Sequence, residues 1–248
     1  MCIAAHSLSY SLGQKRVLSN VYAQLAPGVI TAVIGPPKSG KTALLKCLSG
    51  EWTPTQGRVC WRDGKSSKPA VPAQTKYWSQ SIARSTKQSV FEAVSKFATP
   101  RPRGHLDILL DLFHQFDLTH LLRRSYCQLT NNQKIRVRLV SALFYSQTPN
   151  VSDNFLTLSE PIAKMSALHQ IALLNCLKEL ASQGIGSALV IHDLNLAARF
   201  ADRLILLLNG ELVASGNCTE VLATKLINRT YHSHLRVEYH QQLHWPQA

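Results

Sequence analysis

The chain has 248 residues, 27 Lys and Arg against 14 Asp and Glu, a net charge of +13, and an apolar fraction of 45%. That apolar content builds a core and excludes intrinsic disorder. No apolar run approaches the ~18 residues of a membrane span, the densest being Leu204–Leu208. Residues 1–10 lack a basic segment followed by a long apolar one, so no secretory signal is read there. The six cysteines are scattered without a CxxC, which argues against a zinc site or a disulfide framework and for a reducing cytosol. The basic residues are dispersed, with short clusters only at Arg101–Arg103 and Arg123–Arg124. That is the pattern of a solvated surface. Attraction to an anionic membrane surface is the functional alternative, ahead of nucleic acid.

In chain order, the apolar, β-branched run Val29–Ile34 predicts a buried strand that ends at Gly35. Leu44, Leu45 and Leu48 give Lys41–Ser49 helical spacing, and Gly57–Trp61 and Thr75–Trp78 predict short strands. From about Ser81 to Ser146 the character is helical, with one apolar face at Leu106, Leu109, Leu110, Leu112 and Phe113 and another at Ile135, Leu139, Ala142 and Leu143. Gln147–Asn154 reads as a loop, Phe155–Leu158 as a second buried strand, Met165–Ser182 as a helix and Ser187–Ile191 as a third strand. Leu194–Phe200 is helical, and Arg203–Asn209 with Glu211–Ser215 forms a hairpin turning on Asn209-Gly210. Strands alternating with helices at both ends, around a helical block, predict a mostly parallel α/β core carrying a helical subdomain, with boundaries near Gln80 and Asn154.

Gly35-Pro36-Pro37-Lys38-Ser39-Gly40-Lys41-Thr42 fits G-x-x-x-x-G-K-[ST] at every fixed position. Average composition yields this match in roughly one chain in a hundred of this length, and its place between a buried strand and a helix is the context a phosphate loop requires. Backbone N–H groups of the loop and the helix N-terminus converge on phosphate oxygens, so side chains stay out of the way. Lys41 is expected to neutralise β- and γ-phosphates and Thr42 to ligate Mg²⁺. The chain is therefore expected to bind a nucleoside triphosphate. Downstream, Phe155-Leu156-Thr157-Leu158-Ser159-Glu160-Pro161 is an apolar strand with a polar end, the kind that delivers a carboxylate to Mg²⁺ and a base to the attacking water. Glu160 is placed as that base. Ser159 stands where an aspartate is expected, and His192 sits at the C-terminal edge of the third strand, where open α/β sheets bind ligands.

Together these residues resemble the ATP-binding subunit of ABC transporters over nearly the whole chain. The resemblance implies a P-loop NTPase core with an antiparallel N-terminal β part: a nucleotide core in 1–80 and 155–230, a helical signature subdomain in 81–154 and a tail in 231–248. It implies that Tyr10 stacks on adenine. Gln80 is implied as the hinge glutamine, a member of the catalytic set and, with Thr42, a ligand of Mg²⁺. Leu129-Thr130-Asn131-Asn132-Gln133, followed by Arg136, lies where the family carries LSGGQ, so Thr130 and Asn132 are implied in nucleotide binding across a dimer. Glu160 matches the catalytic glutamate and His192 the switch histidine. The run from His192 to Arg203, with Gly210 and Ser215-Gly216, looks like importers of haem and iron–siderophore complexes, and the loop 147–154 with His169-Gln170 favours the haem (hemin) subgroup.

Three departures stand out: Ser159 for the Walker B aspartate, Asn131 and Asn132 for the signature glycines, and Ser166 for the D-loop aspartate. The leading expectation is an energy-coupling ATPase that uses ATP and Mg²⁺. It works as a homodimer with a transmembrane permease and, indirectly, a periplasmic substrate-binding protein, at the cytoplasmic face of the bacterial inner membrane. The alternatives are a degenerate subunit that binds ATP but turns over poorly, and an iron–siderophore ATPase. A DNA-associated ATPase is disfavoured, because no long coiled-coil insertion fits in the chain, and no nucleic-acid partner is expected. His232, His234, His240 and His244 read as a surface tail rather than as haem ligands.

Overall fold

The structure, a computed structural model, describes residues 2–62, 67–68, 75–79, 87–95, 105–147, 155–163, 165–233 and 237. The chain opens on a long antiparallel pair, β1 (Cys2–Leu12) and β2 (Lys15–Leu25), then enters β3 (Ile30–Ile34) and turns through residues 35–40 into helix α1 (Lys41–Leu48). Strands β4 (Gln56–Arg62), β5 (Ser67–Lys68) and β6 (Thr75–Ser79) follow, then helices α2 (Val90–Ser95), α3 (His105–Gln115) and α4 (Asn131–Ser146). The last third alternates: β7 (Phe155–Ser159), α5 (Ala167–Ser182), β8 (Gly186–Val190), α6 (Leu194–Phe200), β9 (Arg203–Leu208) and β10 (Glu211–Gly216), closing with α7 (Cys218–Val221) and α8 (Thr224–Tyr231).

Two sheets result. A six-stranded sheet runs β10-β9-β3-β8-β7-β6, parallel throughout except for the β9–β10 hairpin. A four-stranded antiparallel sheet runs β2-β1-β4-β5. This is the mixed α/β arrangement expected from the sequence. The strands before Val29 are harder to read in the sequence because Ser7 and Asn20 adopt positive φ (49° and 51°) where the β1–β2 register shifts, which breaks the inside–outside alternation. Both expected boundary residues, Gln80 and Asn154, lie outside the described residues, as do His234, His240 and His244 of the tail.

Strands β3, β7 and β8 are buried on both faces, so they are largely apolar in both phases. Along β9, Leu204 and Leu206 join a core with α5, α6 and the helical region, whereas Ile205 and Leu207 join a second core with α1 and the antiparallel sheet. Asp202 accepts from the Ile30 N–H at 2.8 Å, and Asp193 caps α6 by accepting from Asn195 and Leu196. Helix α5 begins at Ala167, two residues later than the sequence pattern suggests, because residues 160–163 and 165 form bends and turns.

Candidate functional site

The C-terminal ends of β3, β7 and β8 and the N-terminus of α1 meet beside the antiparallel sheet and enclose a cavity of about 690 Å³. That volume lies within the range of small-molecule sites. Its floor is the loop 35–42. Gly35 (φ 143°) approaches so closely that a Cβ there would drive into the Leu207 carbonyl. Gly40 (φ 97°) would place a Cβ 2.7 Å from Leu18 Cδ2 and 2.9 Å from the Val17 carbonyl. The loop is thus pinned between β2 and the Asn209-Gly210 turn, whose Gly210 N–H donates to the Ser39 carbonyl at 3.1 Å. Pro36 and Pro37 carry no N–H, and the Ser39 N–H donates back to the Pro36 carbonyl at 3.2 Å. Lys38, exposed at φ 65°, faces the cavity with its neighbours.

Lys41 is only 5% exposed, and its ammonium donates to the Gly35 and Pro36 carbonyls at 2.8 and 2.6 Å and to Ser39 Oγ at 3.4 Å. Burial lowers its pKa from the ordinary lysine value, and the nearby Glu160 carboxylate opposes that shift. Thr42 Oγ1 lies 3.2 Å from Ser159 Oγ, which joins α1 to the end of β7. One residue on, Glu160 takes a left-handed turn (φ 50°) and brings its carboxylate 3.4 Å from His192 Nε2 at the end of β8. Both side chains are about half exposed at the mouth of the cavity.

Tyr10 of β1 lines the same cavity, stacked face to face on Trp52 with centroids 4.7 Å apart and planes 15° apart. Lys46 lies 4.2 Å over the Trp52 ring and 3.4 Å from Glu51, so α1 fixes this aromatic pair. Trp52, Lys15 and Arg16 were not singled out from the sequence. Trp52 is 42 positions from Tyr10 in a turn marked only by Pro54, and only the packing of β1 against α1 brings the two rings together.

The other sequence-identified residues fall elsewhere. Thr130 caps α4: its hydroxyl accepts from the Gln133 N–H at 3.3 Å while Gln133 returns a bond to the Thr130 N–H at 2.9 Å, a reciprocal capping box. Asn132 lines a second, smaller cavity with Ile135, Arg136, Met165, Ser166 and His169. Neither shares the Lys41 cavity. Gln80 lies outside the described residues; β6 ends beside it at Ser79, in register with Ser159.

The metal expectation is tested by the donors present. Thr42 and Ser159 offer two neutral hydroxyl oxygens close together, followed in the chain by the Glu160 carboxylate, which also faces His192 Nε2. Oxygen donors suit a hard cation such as Mg²⁺, so the residues fit, with less charge than a carboxylate at position 159 would bring.

The family model described as "ABC transporter" matches residues 18–156. The chain belongs to the ABC transporter family. Hemin import ATP-binding protein HmuV of Bordetella avium is 33% identical over 241 residues, covering 93% of this chain and 92% of that protein. HmuV of Pseudoalteromonas translucida is 31% identical over 246 residues, covering 95% and 94%. Among solved structures, an ATP-binding subunit of an ABC transporter superposes with a TM-score of 0.73 at 21% identity, covering 94% of each chain. A bacterial Atm1-family ABC exporter with ATP bound superposes at 0.76 with 17% identity, covering 93% of this chain and 41% of that one. The fold is therefore shared with an exporter and does not by itself set a direction of transport. As an ABC ATPase, the chain binds ATP and couples its hydrolysis to transport, and members of the family work with transmembrane permease subunits. Among the described residues no helix is long and apolar enough to cross a membrane.

Proposed function

We propose that this chain is the energy-coupling ATPase of a hemin importer. It acts as a homodimer against a permease at the cytoplasmic face of the bacterial inner membrane, with a periplasmic substrate-binding protein supplying the cargo. Substrate and direction are supported by the HmuV relatives, and hydrolysis by one observation above all: Glu160 and His192 meet 3.4 Å apart at the mouth of the phosphate-loop cavity.

In this reading Tyr10 stacks on the adenine, while the backbone N–H groups and α1 N-terminus of residues 35–42 hold the phosphates. Lys41 exchanges its bonds to the Gly35 and Pro36 carbonyls for β- and γ-phosphate oxygens. Glu160 orients the attacking water and accepts its proton, and His192 holds the Glu160 carboxylate and contacts the γ-phosphate. Thr42, Gln80 and Ser159 would hold Mg²⁺, which would supply charge neutralisation at the phosphates. Thr130 and Asn132 of a second copy close over the nucleotide. Gln80 and the helical region carry the motion to the permease, and catalysis is positioning plus electrostatics.

The test is ATP-driven hemin uptake in proteoliposomes holding the permease and this subunit. Uptake and ATPase activity should be present in the wild type and fall together in Glu160→Gln. Uptake of an iron–siderophore complex but not of hemin would reassign the cargo. A second reading, an ATP-holding subunit with little turnover, is favoured by Ser159 and by Asn131-Asn132. A wild-type ATPase rate equal to that of Glu160→Gln would establish it.

A further inference from the structure

His169 stands at the third position of α5, where the D-loop turn enters the helix, and makes three contacts. Its Nδ1 lies 2.8 Å from Ser166 Oγ, its Nε2 lies 3.0 Å from Arg136 Nη1, and its ring stacks on Phe116 at 6.4 Å with planes 10° apart. Arginine has donors only. Nε2 must therefore carry the lone pair, which leaves the proton on Nδ1, donated to Ser166. The chemistry alone selects one neutral tautomer. Ser166, at the N-cap of α5, makes no capping bond and spends its hydroxyl on the ring instead. Arg136 in turn donates to the Phe116 carbonyl at 2.7 Å and lies 3.5 Å from Asp117 Oδ2. Gln170 completes the brace by donating to the Ile162 and Met165 carbonyls at 3.2 and 3.0 Å. The cavity these groups border also holds Asn132 of the signature segment.

We propose that neutral His169 is a positioning residue that locks the D-loop to the signature helix α4, in the place where the family's aspartate is replaced by Ser166. Protonation removes the acceptor for Arg136 and sets a second cation beside that guanidinium, so acidification unlocks the two segments. Among the described residues, the charged and titratable groups facing the ring are Arg136 from α4 and Asp117 from the turn after α3, with His120 at 3.7 Å behind Asp117. Burial holds the His169 pKa below the ordinary histidine value; Arg136 adds to the shift and Asp117 opposes it. A depressed histidine pKa keeps the brace intact at neutral and alkaline pH and loses it as pH falls through the folded value. The role in turnover rests on the dimeric ATPase reading; the tautomer and the brace do not.

Two measurements test it. Histidine ¹⁵N NMR of the full chain, with the His169 signals assigned by their loss in His169→Gln, should show an Nδ1-protonated ring titrating below the usual ~6.5. An Nε2-protonated ring, or a midpoint at or above that value, overturns the proposal. In the permease-coupled ATPase assay, His169→Ala should lower kcat about tenfold with KM for ATP unchanged, as for a lost hydrogen bond to a charged group. His169→Gln, whose amide oxygen still accepts from Arg136, should recover most of kcat and move the acid limb of the pH profile to lower pH. An acid limb that stays where it is in His169→Gln overturns the switch. Wild-type activity in Glu160→Gln, by contrast, overturns the ATPase reading and leaves the NMR result to decide the brace.

Discussion

The phosphate loop and the signature–D-loop face of this molecule are built on opposite strategies. The loop 35–42 keeps every residue its motif requires and holds its shape through backbone, with two glycines pressed against β2 and β9 and a buried lysine satisfied by loop carbonyls. The second face carries Asn131, Asn132 and Ser166 where the family resemblance expects two glycines and an aspartate, and it holds its shape through side chains: the Thr130–Gln133 box and the Ser166–His169–Arg136 chain. Backbone geometry tolerates few substitutions because any Cβ collides. A side-chain network tolerates exchange as long as each donor finds an acceptor. The departures from the family resemblance accordingly lie on the second face and at Ser159, where the end of β7 meets Thr42 through neutral hydroxyls.

If the loop is the intact half, the largest effects belong there. Lys41→Ala should abolish Mg-ATP binding in a nucleotide titration, since it removes the one buried ammonium at the loop; retained affinity would break the contrast at its stronger end. Glu160→Gln should keep ATP bound and slow hydrolysis by ~10²–10⁴-fold, the usual worth of a general base, as read in the steady-state rate with permease. Ser159→Asp sharpens the contrast by restoring a lost charge. It should lower the Mg²⁺ concentration for half-maximal activity by about tenfold, by analogy with supporting groups around metals. An unmoved midpoint would place position 159 away from the metal. Trp52→Ala removes the ring behind Tyr10. Stacking of this kind is worth ~0.5–1.5 kcal/mol, so the ATP Kd should rise several-fold, and an unchanged Kd would mean Tyr10 is held without it. On the divergent face, Asn132→Gly should give the smallest change, a few-fold rise in kcat if the added Cβ hinders closure, with ATP affinity unaltered.

Local sequence carried most of the fold. The strand at residues 29–34, helix Leu194–Phe200 and the Asn209-Gly210 hairpin were legible because their periodicity, or their turn chemistry, lies within a few residues. The first two strands were less so, since positive φ at Ser7 and Asn20 scrambles their alternation. Glu160 and His192 are each named by motif and resemblance, but their contact is not, and Trp52 is not named at all. Its partner Tyr10 is distant in sequence, and nothing in Glu51-Trp52-Thr53 distinguishes a platform from a surface tryptophan.

By itself, the sequence determined that this chain binds a nucleoside triphosphate, because a phosphate loop is a contiguous device: glycines, a lysine and a threonine at fixed spacing between one strand and one helix. It also named the groups at the strand ends. Tertiary structure decided how those groups meet: Thr42 against Ser159, Glu160 against His192, Tyr10 against Trp52, and His169 between Ser166 and Arg136. Each of these contacts except Ser166–His169 joins separate elements. Their geometry depends on sheet order and helix packing, which are set by the burial of both sheet faces and by no local pattern.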